Sequence, residues 1–283
     1  MQAESFEQHR GHLRAVAYRM LGSLTEADDA VQEAWLRMDR AEASDVRNER
    51  GWLTTVVARI CLDMLRARST RSEDPLDQAA PIAAPDAVDP EAEAELADSI
   101  GVALLVILQN LSPAERLAFV LHDMFNLPYS EIAPIVGRSE NTAAQLASRA
   151  RRRVRGKNPD PAGDFVQQRR LVDAFLAAAR DGDFDSLLAV LDDDVVLHVD
   201  AAAAGAPRTI RGAQVVAVNA QMFSANARFA EPALVDDAVG IVVAPNGRLS
   251  IVLRFKIADE RITEIDIVAD PAALRGFDLA VLD

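Results

Sequence analysis

Between residues 138 and 153 the sequence gathers side chains suited to reading a nucleic acid. Arg138, Glu140, Asn141, Gln145 and Arg149 can meet base edges through bidentate or single hydrogen bonds, while Arg152 and Arg153 are better placed for phosphate. A second group carries different chemistry. His198 and Asp200 stand two apart on a predicted strand and so share a face, and Asp266 on a later strand could face the same interior. Lining a pocket, a His-Asp pair performs general acid-base chemistry. A structural or solvent-facing role and a ligand-sensing role are the other readings of the same residues.

The first group needs a helix-turn-helix to position it. Ile132, Ala133, Ile135 and Val136 fall at helical spacing, Gly137 breaks the pattern, and Ser139 can cap a second helix whose inner face is Ala143, Leu146, Ala147 and Ala150. In such a unit the second helix lies in the DNA major groove. The charge agrees: Arg138, Arg149, Arg151, Arg152, Arg153, Arg155 and Lys157 face a single acid, Glu140, in that stretch. An ordinary helical hairpin with a solvated basic tail is the bland alternative.

A formal net charge of -14 is unusual for a DNA binder until it is divided along the chain. Residues 73–98 hold nine acids and no base, and residues 164–283 hold nineteen acids against eleven bases. The acidity therefore lies outside the basic helices, and local patches decide what binds. One cysteine, Cys61, excludes an intramolecular disulfide and a cysteine-rich zinc site. No GxxxxGK phosphate loop or clustered metal-ligand motif occurs, so no metal or other cofactor is expected. The stretch MQAESFEQHR lacks an apolar signal core and no run reaches the roughly 18 apolar residues of a membrane helix, so a soluble, cytoplasmic protein is expected.

In chain order, residues 4–39 read as two amphipathic helices joined near Gly22, the second capped by Thr25 and exposing Asp28, Asp29, Gln32 and Glu33 beside Trp35. A polar loop with Arg47 and Asn48 leads to a helix beginning near Trp52 and carrying Arg59, a combination suited to single-stranded nucleic acid. An acidic Pro/Ala-rich linker covers 73–99. From about Ile100 an apolar helix follows, and Ser112-Pro113-Ala114-Glu115 marks another helix start. After a break at 158–164, a helix-rich stretch precedes runs consistent with strands through 195–199 and at 229–235, 238–244, 248–257 and 261–268, with a hairpin signal at Pro245-Asn246-Gly247. The order indicates an α+β domain with a curled antiparallel sheet.

The segments HLRAVAYRMLGSLTEADDAVQEAWLRM, RNERGWLTTVVARICLDMLRARSTR and LSPAERLAFVLHDMFNLPYSEIAPIVGRSENTAAQLASRARRRV resemble regions 2 and 4 of bacterial extracytoplasmic-function (ECF) sigma factors. The resemblance implies a multidomain chain of two all-α sigma domains, region 2 at 1–72 and the region 4 helix-turn-helix at 100–157, working with core RNA polymerase and promoter DNA. Matched residue by residue, Asp28, Asp29, Gln32, Glu33 and Trp35 fall on the polymerase-docking segment. Arg47, Asn48, Trp52 and Arg59 fall on the part that reads and melts the −10 element, and Arg138, Ser139, Glu140, Asn141, Gln145 and Arg149 fall on the −35 reading helix.

The last part, 165–283, resembles a SnoaL-like domain of the NTF2-like superfamily, a cone-shaped α+β fold, through FLAAARDGDFDSLLAVLDDDVVLHVD and IRGAQVVA. Together the segments resemble the sigma-J-like ECF group, whose extension is expected to regulate the sigma regions through contacts within the same chain. Two stretches depart from that group: its WLPEP-like linker motif is replaced by DPLDQAAPIAAPD, and its DGGGR-like loop by AAAAGAPR. SnoaL relatives include cyclases and isomerases, so a sensor or enzyme fused to a DNA-binding module is the rival reading.

Overall fold

The computed structural model describes residues 2–40, 48–72, 101–156, 163–222 and 227–282. Arg47, Lys157, the linker at 73–99 and residues 158–162 of the second linker lie outside the described residues. Contacts divide the chain into two compact units, Met1–Ala97 with Leu108–Arg152, and Asp98–Ile107 with Arg153–Asp283.

In the first unit, the apolar stripe of α1 (Gln2–Leu21) buries Leu13, Val16, Ala17 and Met20, and Gly22 turns the chain at a φ of 74°. Helix α2 (Leu24–Arg40) follows at once. Its cap is Ser23, whose Oγ accepts the Glu26 N–H at 3.4 Å, and not Thr25, because the glycine turn brings the helix in two residues earlier. Helix α3 (Glu49–Ser72) also starts earlier than Trp52, since Asn48 Oδ1 accepts the Gly51 N–H at 3.0 Å and caps it.

Helix α4 (Val102–Gln109) precedes α5 (Pro113–Phe119), which opens on a complete capping box: Ser112 Oγ accepts the Glu115 N–H and the Glu115 carboxylate accepts the Ser112 N–H. A π-helical turn (Val120–Met124) continues α5. The helix-turn-helix is α6 (Tyr129–Val136) and α7 (Glu140–Arg155), and Gly137 closes α6 in the left-handed conformation at φ 69°. Ser139 Oγ accepts the Thr142 N–H at 3.3 Å and starts α7. Ile132 and Val136 of α6 and Ala143, Ala147 and Ala150 of α7 are buried.

The second unit contains α8 (Gly163–Asp181), α9 (Phe184–Val190), β1 (Leu191–Val199), α10 (Ala201–Ala204), β2 (Arg208–Arg211), α11 (Ala213–Met222), β3 (Ala230–Val235), β4 (Ala238–Val243), β5 (Ile251–Ala258), β6 (Arg261–Val268), α12 (Pro271–Leu274) and β7 (Leu279–Ala280). Pro245–Gly247 form a 3-10 turn between the antiparallel β4 and β5. The seven strands run β2-β1-β6-β5-β4-β3-β7. The sheet is mixed, not antiparallel throughout: the chain leaves β1 through α10, β2 and α11, crosses to β3 and comes back through the antiparallel β3, β4, β5 and β6, so that β1 lies parallel to β6. β2 and β7 are four and two residues long, too short for an alternating pattern to announce. Leu197, Ile241, Leu253 and Ile265 line one sheet face and pack with Val172, Phe175 and Leu176 of α8 and Val216 of α11. Within this unit Glu231 accepts the Ala103 N–H at 2.6 Å, and Val281 N–H donates to Val154 O at 2.8 Å.

Candidate nucleic-acid interface

Burial sorts the two faces of α7. Ala143, Leu146, Ala147 and Ala150 point inward, whereas Arg138, Ser139, Glu140, Asn141, Gln145, Arg149, Arg152 and Arg153 are exposed. The sequence pattern therefore gives a polar stripe that runs along the helix at three- and four-residue steps. Behind it, side chains link α7 to the segments that precede it. Arg151 reaches back to Asp123 at 3.1 Å and to the Tyr129 hydroxyl at 3.0 Å, and the Tyr129 ring stacks on His122 with centroids 3.9 Å apart. Arg149 Nε lies 3.1 Å from Glu115 Oε1.

On α2, Asp29 and Gln32 are exposed, Asp28 takes a two-bond contact from Arg14 at 2.7 and 3.0 Å, and Glu33 pairs with Arg37 at 2.8 Å. Trp35 is half-buried, its ring edge-to-face with Phe6 at 5.1 Å. Leu36, absent from the sequence reading, is 40% exposed one helical turn from Gln32 and Glu33. Its three- and four-residue spacing from those two was the available signal. An apolar side chain presented among carboxylates fits a protein partner better than a nucleic acid.

On α3, Asn48 and Arg59 are exposed and Trp52 is half-buried. Asn48 spends its carbonyl oxygen as the helix cap, which leaves its amide N–H groups for other partners. Nearby, His12 receives Arg50 Nη2 at 3.0 Å on one ring nitrogen and meets Thr54 Oγ1 at 3.1 Å with the other. Burial, then the charges of Arg50, His9 and Arg19, hold its pKa down at about 4. A guanidinium donating to a ring nitrogen requires a neutral imidazole, so geometry and charge agree.

The sequence matches Sigma-70 region 2 over residues 5–71 and Sigma-70 region 4 over residues 101–154. It is 37% identical over 279 residues to the probable ECF RNA polymerase sigma factor SigI of Mycobacterium tuberculosis, covering 95% of this chain and 93% of that protein. The chain belongs to the ECF RNA polymerase sigma factors. The ECF sigma factor SigJ of the same organism is 40% identical over 227 residues, 76% of this chain and 71% of that protein. A crystal structure of SigJ aligns with 97% of this chain and 98% of that chain, at 31% identity and a TM-score of 0.46. Sigma factors of this family bind core RNA polymerase and promoter DNA, and no described helix of this one is long and apolar enough to cross a membrane.

In the sigma factor's α+β domain Asp200 parts from the other two candidate pocket residues. His198 and Asp266 are register partners on the parallel strands β1 and β6, on the sheet face opposite the hydrophobic core. Glu264 joins them, and the ligand atoms of His198, Glu264 and Asp266 lie within 4.8 Å of one another. The charges are already balanced across the sheet: Lys256 holds Glu264 at 2.8 Å and Arg254 holds Asp266 at 3.0 Å, while His198 Nδ1 meets Thr209 at 3.2 Å. Any cation must displace these partners. Asp200 belongs to neither face, because β1 ends at Val199 and Asp200 begins α10. Its oxygens accept N–H groups of Ala203 at 2.8 Å, Ala269 at 2.7 Å and Asp270 at 2.8 Å. Desolvation raises the Asp200 carboxyl, but backbone N–H groups of Ala269, Ala203, Asp270 and Ala202 outweigh it and hold its pKa below the ordinary carboxylate range. Asp200 ties the strand ends together, which the expected His-Asp pair does not describe.

Proposed function

We propose that α7 enters the major groove at the −35 element with Arg138, Ser139, Glu140, Asn141, Gln145 and Arg149 at base edges and Arg152 and Arg153 on phosphates. Arg47, Asn48, Trp52 and Arg59 read and melt the −10 element, and Asp28, Asp29, Gln32, Glu33, Trp35 and Leu36 dock on core polymerase. The observation carrying this reading is the division of α7 into a buried Ala/Leu face and an exposed Arg/Asn/Gln face directly after the Gly137 turn. The working limits are region 2 at 1–72, region 4 at 100–157 and a regulatory domain from 165 onward.

The α+β domain then modulates the sigma regions within the same chain. Its acids outnumber its bases nineteen to eleven from residue 164, and that net negative charge lowers DNA binding by the free protein. Ala103 N–H and Val154 C=O, both inside the region 4 match, bond to Glu231 and Val281 and give that influence a physical route. Run-off transcription with bacterial core polymerase, on the promoter of this protein's own or a neighbouring gene, compares the full chain with one ending near Lys157. Promoter-specific transcript from either form is expected. Silence from both, with the polymerase shown active by another sigma factor, refutes the promoter reading. At fixed salt the shortened chain should bind DNA more tightly, and equal binding refutes the modulation.

A further inference from the structure

Arg149 stands in line with Asn141 and Gln145 at four-residue steps on α7, and its side chain is 48% exposed. Its Nε lies 3.1 Å from Oε1 of Glu115, a residue of α5 whose own side chain is only 8% exposed. Glu115 is itself fixed. Its Oε2 accepts the Ser112 hydroxyl at 2.8 Å and the Ser112 N–H at 3.3 Å, completing the α5 capping box. A carboxylate held on one oxygen by a helix start offers the other in a set direction. The guanidinium bonded through Nε keeps its two Nη groups as further donors on its end edge.

We propose that Glu115 is a positioning residue for promoter reading: it presents the Nη edge of Arg149 for a two-bond contact with O6 and N7 of one guanine in the −35 element. This rests on α7 lying in the major groove as described above. Three physical arguments support it. Arg paired with guanine O6 and N7 is the commonest base-specific contact. A long side chain already held in one rotamer loses less entropy on binding than a free one. The buried carboxylate also repels phosphate and offsets the Arg149 charge, so the contact depends on the geometry of a base edge more than on general attraction. Arg152 and Arg153 supply that general attraction.

The test uses full-length protein with core polymerase and a promoter library randomised in the −35 element, with transcripts sequenced. Ratios between promoters within one preparation do not depend on the fraction of protein that is folded. Wild type should favour a guanine at one position by about tenfold or more, and Arg149→Ala should erase that preference. Glu115→Gln keeps a capping-box residue but removes the charge facing Nε, and should cut the preference to about threefold. In the Arg149→Ala background Glu115→Gln should change nothing further. Ser112→Ala removes the hydroxyl bond that fixes Glu115 but keeps the backbone N–H bond at position 112, so it should lower the melting temperature and weaken the preference by no more than Glu115→Gln does.

A full preference in Glu115→Gln alongside its loss in Arg149→Ala overturns the positioning role. An even fall across all promoters in Glu115→Gln does the same, and makes the pair a brace between α5 and α7 only. If Arg149→Ala keeps every preference of the wild type, then Arg149 is not in the groove, and the proposed placement of that residue fails together with this inference.

Discussion

Replacing Arg116 in two ways separates what a buried cation contributes from what its carbon stem contributes. Arg116 is 5% exposed, and its Nη1 donates to Met20 O at 2.8 Å, near the end of α1 where carbonyls lack helical partners. Its Nε has no hydrogen-bond partner among the described residues. Burial, and then the charge of Arg68, lower its pKa to about 10, so it stays protonated at pH 7. Arg116→Ala removes two methylenes beyond Cβ, about 1.6 kcal/mol at ~0.8 each, and a charged hydrogen bond of about 1.5–3 kcal/mol. It also relieves a desolvated donor, which returns about 1–3 kcal/mol. The net loss is about 2 kcal/mol. Arg116→Met keeps most of the stem, so its bond loss and desolvation relief nearly cancel, within about 1 kcal/mol of wild type. The two variants should differ by about 2 kcal/mol, a melting difference of about 4–8 °C for the unit that holds Arg116. Scanning calorimetry at pH 7 reads this directly. Arg116→Met as costly as Arg116→Ala would refute the reasoning, because the bond to Met20 would then outweigh the burial of charge.

Three further outcomes follow from the same contacts. His12 is held near 4 when folded and titrates near its ordinary 6.5 when unfolded, so the unfolded chain takes up a proton first. Stability should therefore be full above pH 6.5 and fall as pH drops toward 4, and denaturant titrations of His12→Gln should show a shallower fall over that window. Asp200→Ala should destabilise the α+β domain by about 1–3 kcal/mol, since one side chain holds the Ala203, Ala269 and Asp270 N–H groups. A melting temperature within 1 °C of wild type would argue that the strand ends need no tie. At Gly137, φ is 69° and a Cβ would meet nothing within 4 Å, so Gly137→Ala should cost only the left-handed backbone term of about 1–2 kcal/mol. A larger loss in urea unfolding would point to a contact that this geometry lacks.

Local patterns in the sequence determined the helices of both sigma regions, the Gly137 turn, the Ser112 capping box and the strands from 230 to 268. Each of these depends on side-chain periodicity or on bonds spanning three or four residues, which the sequence carries directly. The same periodicity separated the buried face of α7 from its exposed one. What periodicity does not carry is which distant residue faces a given side chain. Arg149 meets a carboxylate 34 positions away, so a residue legible as a DNA reader turned out also to have an anchor. His198 and Asp266, expected to face an interior, stand side by side in register on the face turned away from the core, because only the parallel pairing of β1 with β6 decides the neighbours across that face. Asp200 left them because a strand ended one residue earlier than alternation alone indicates. The first turn of α4 lies inside the region 4 match but packs with the C-terminal sheet, where Glu231 accepts its N–H. A helix's own sequence fixes that its first N–H groups need a partner, and tertiary structure alone chose a carboxylate 128 residues later to supply it.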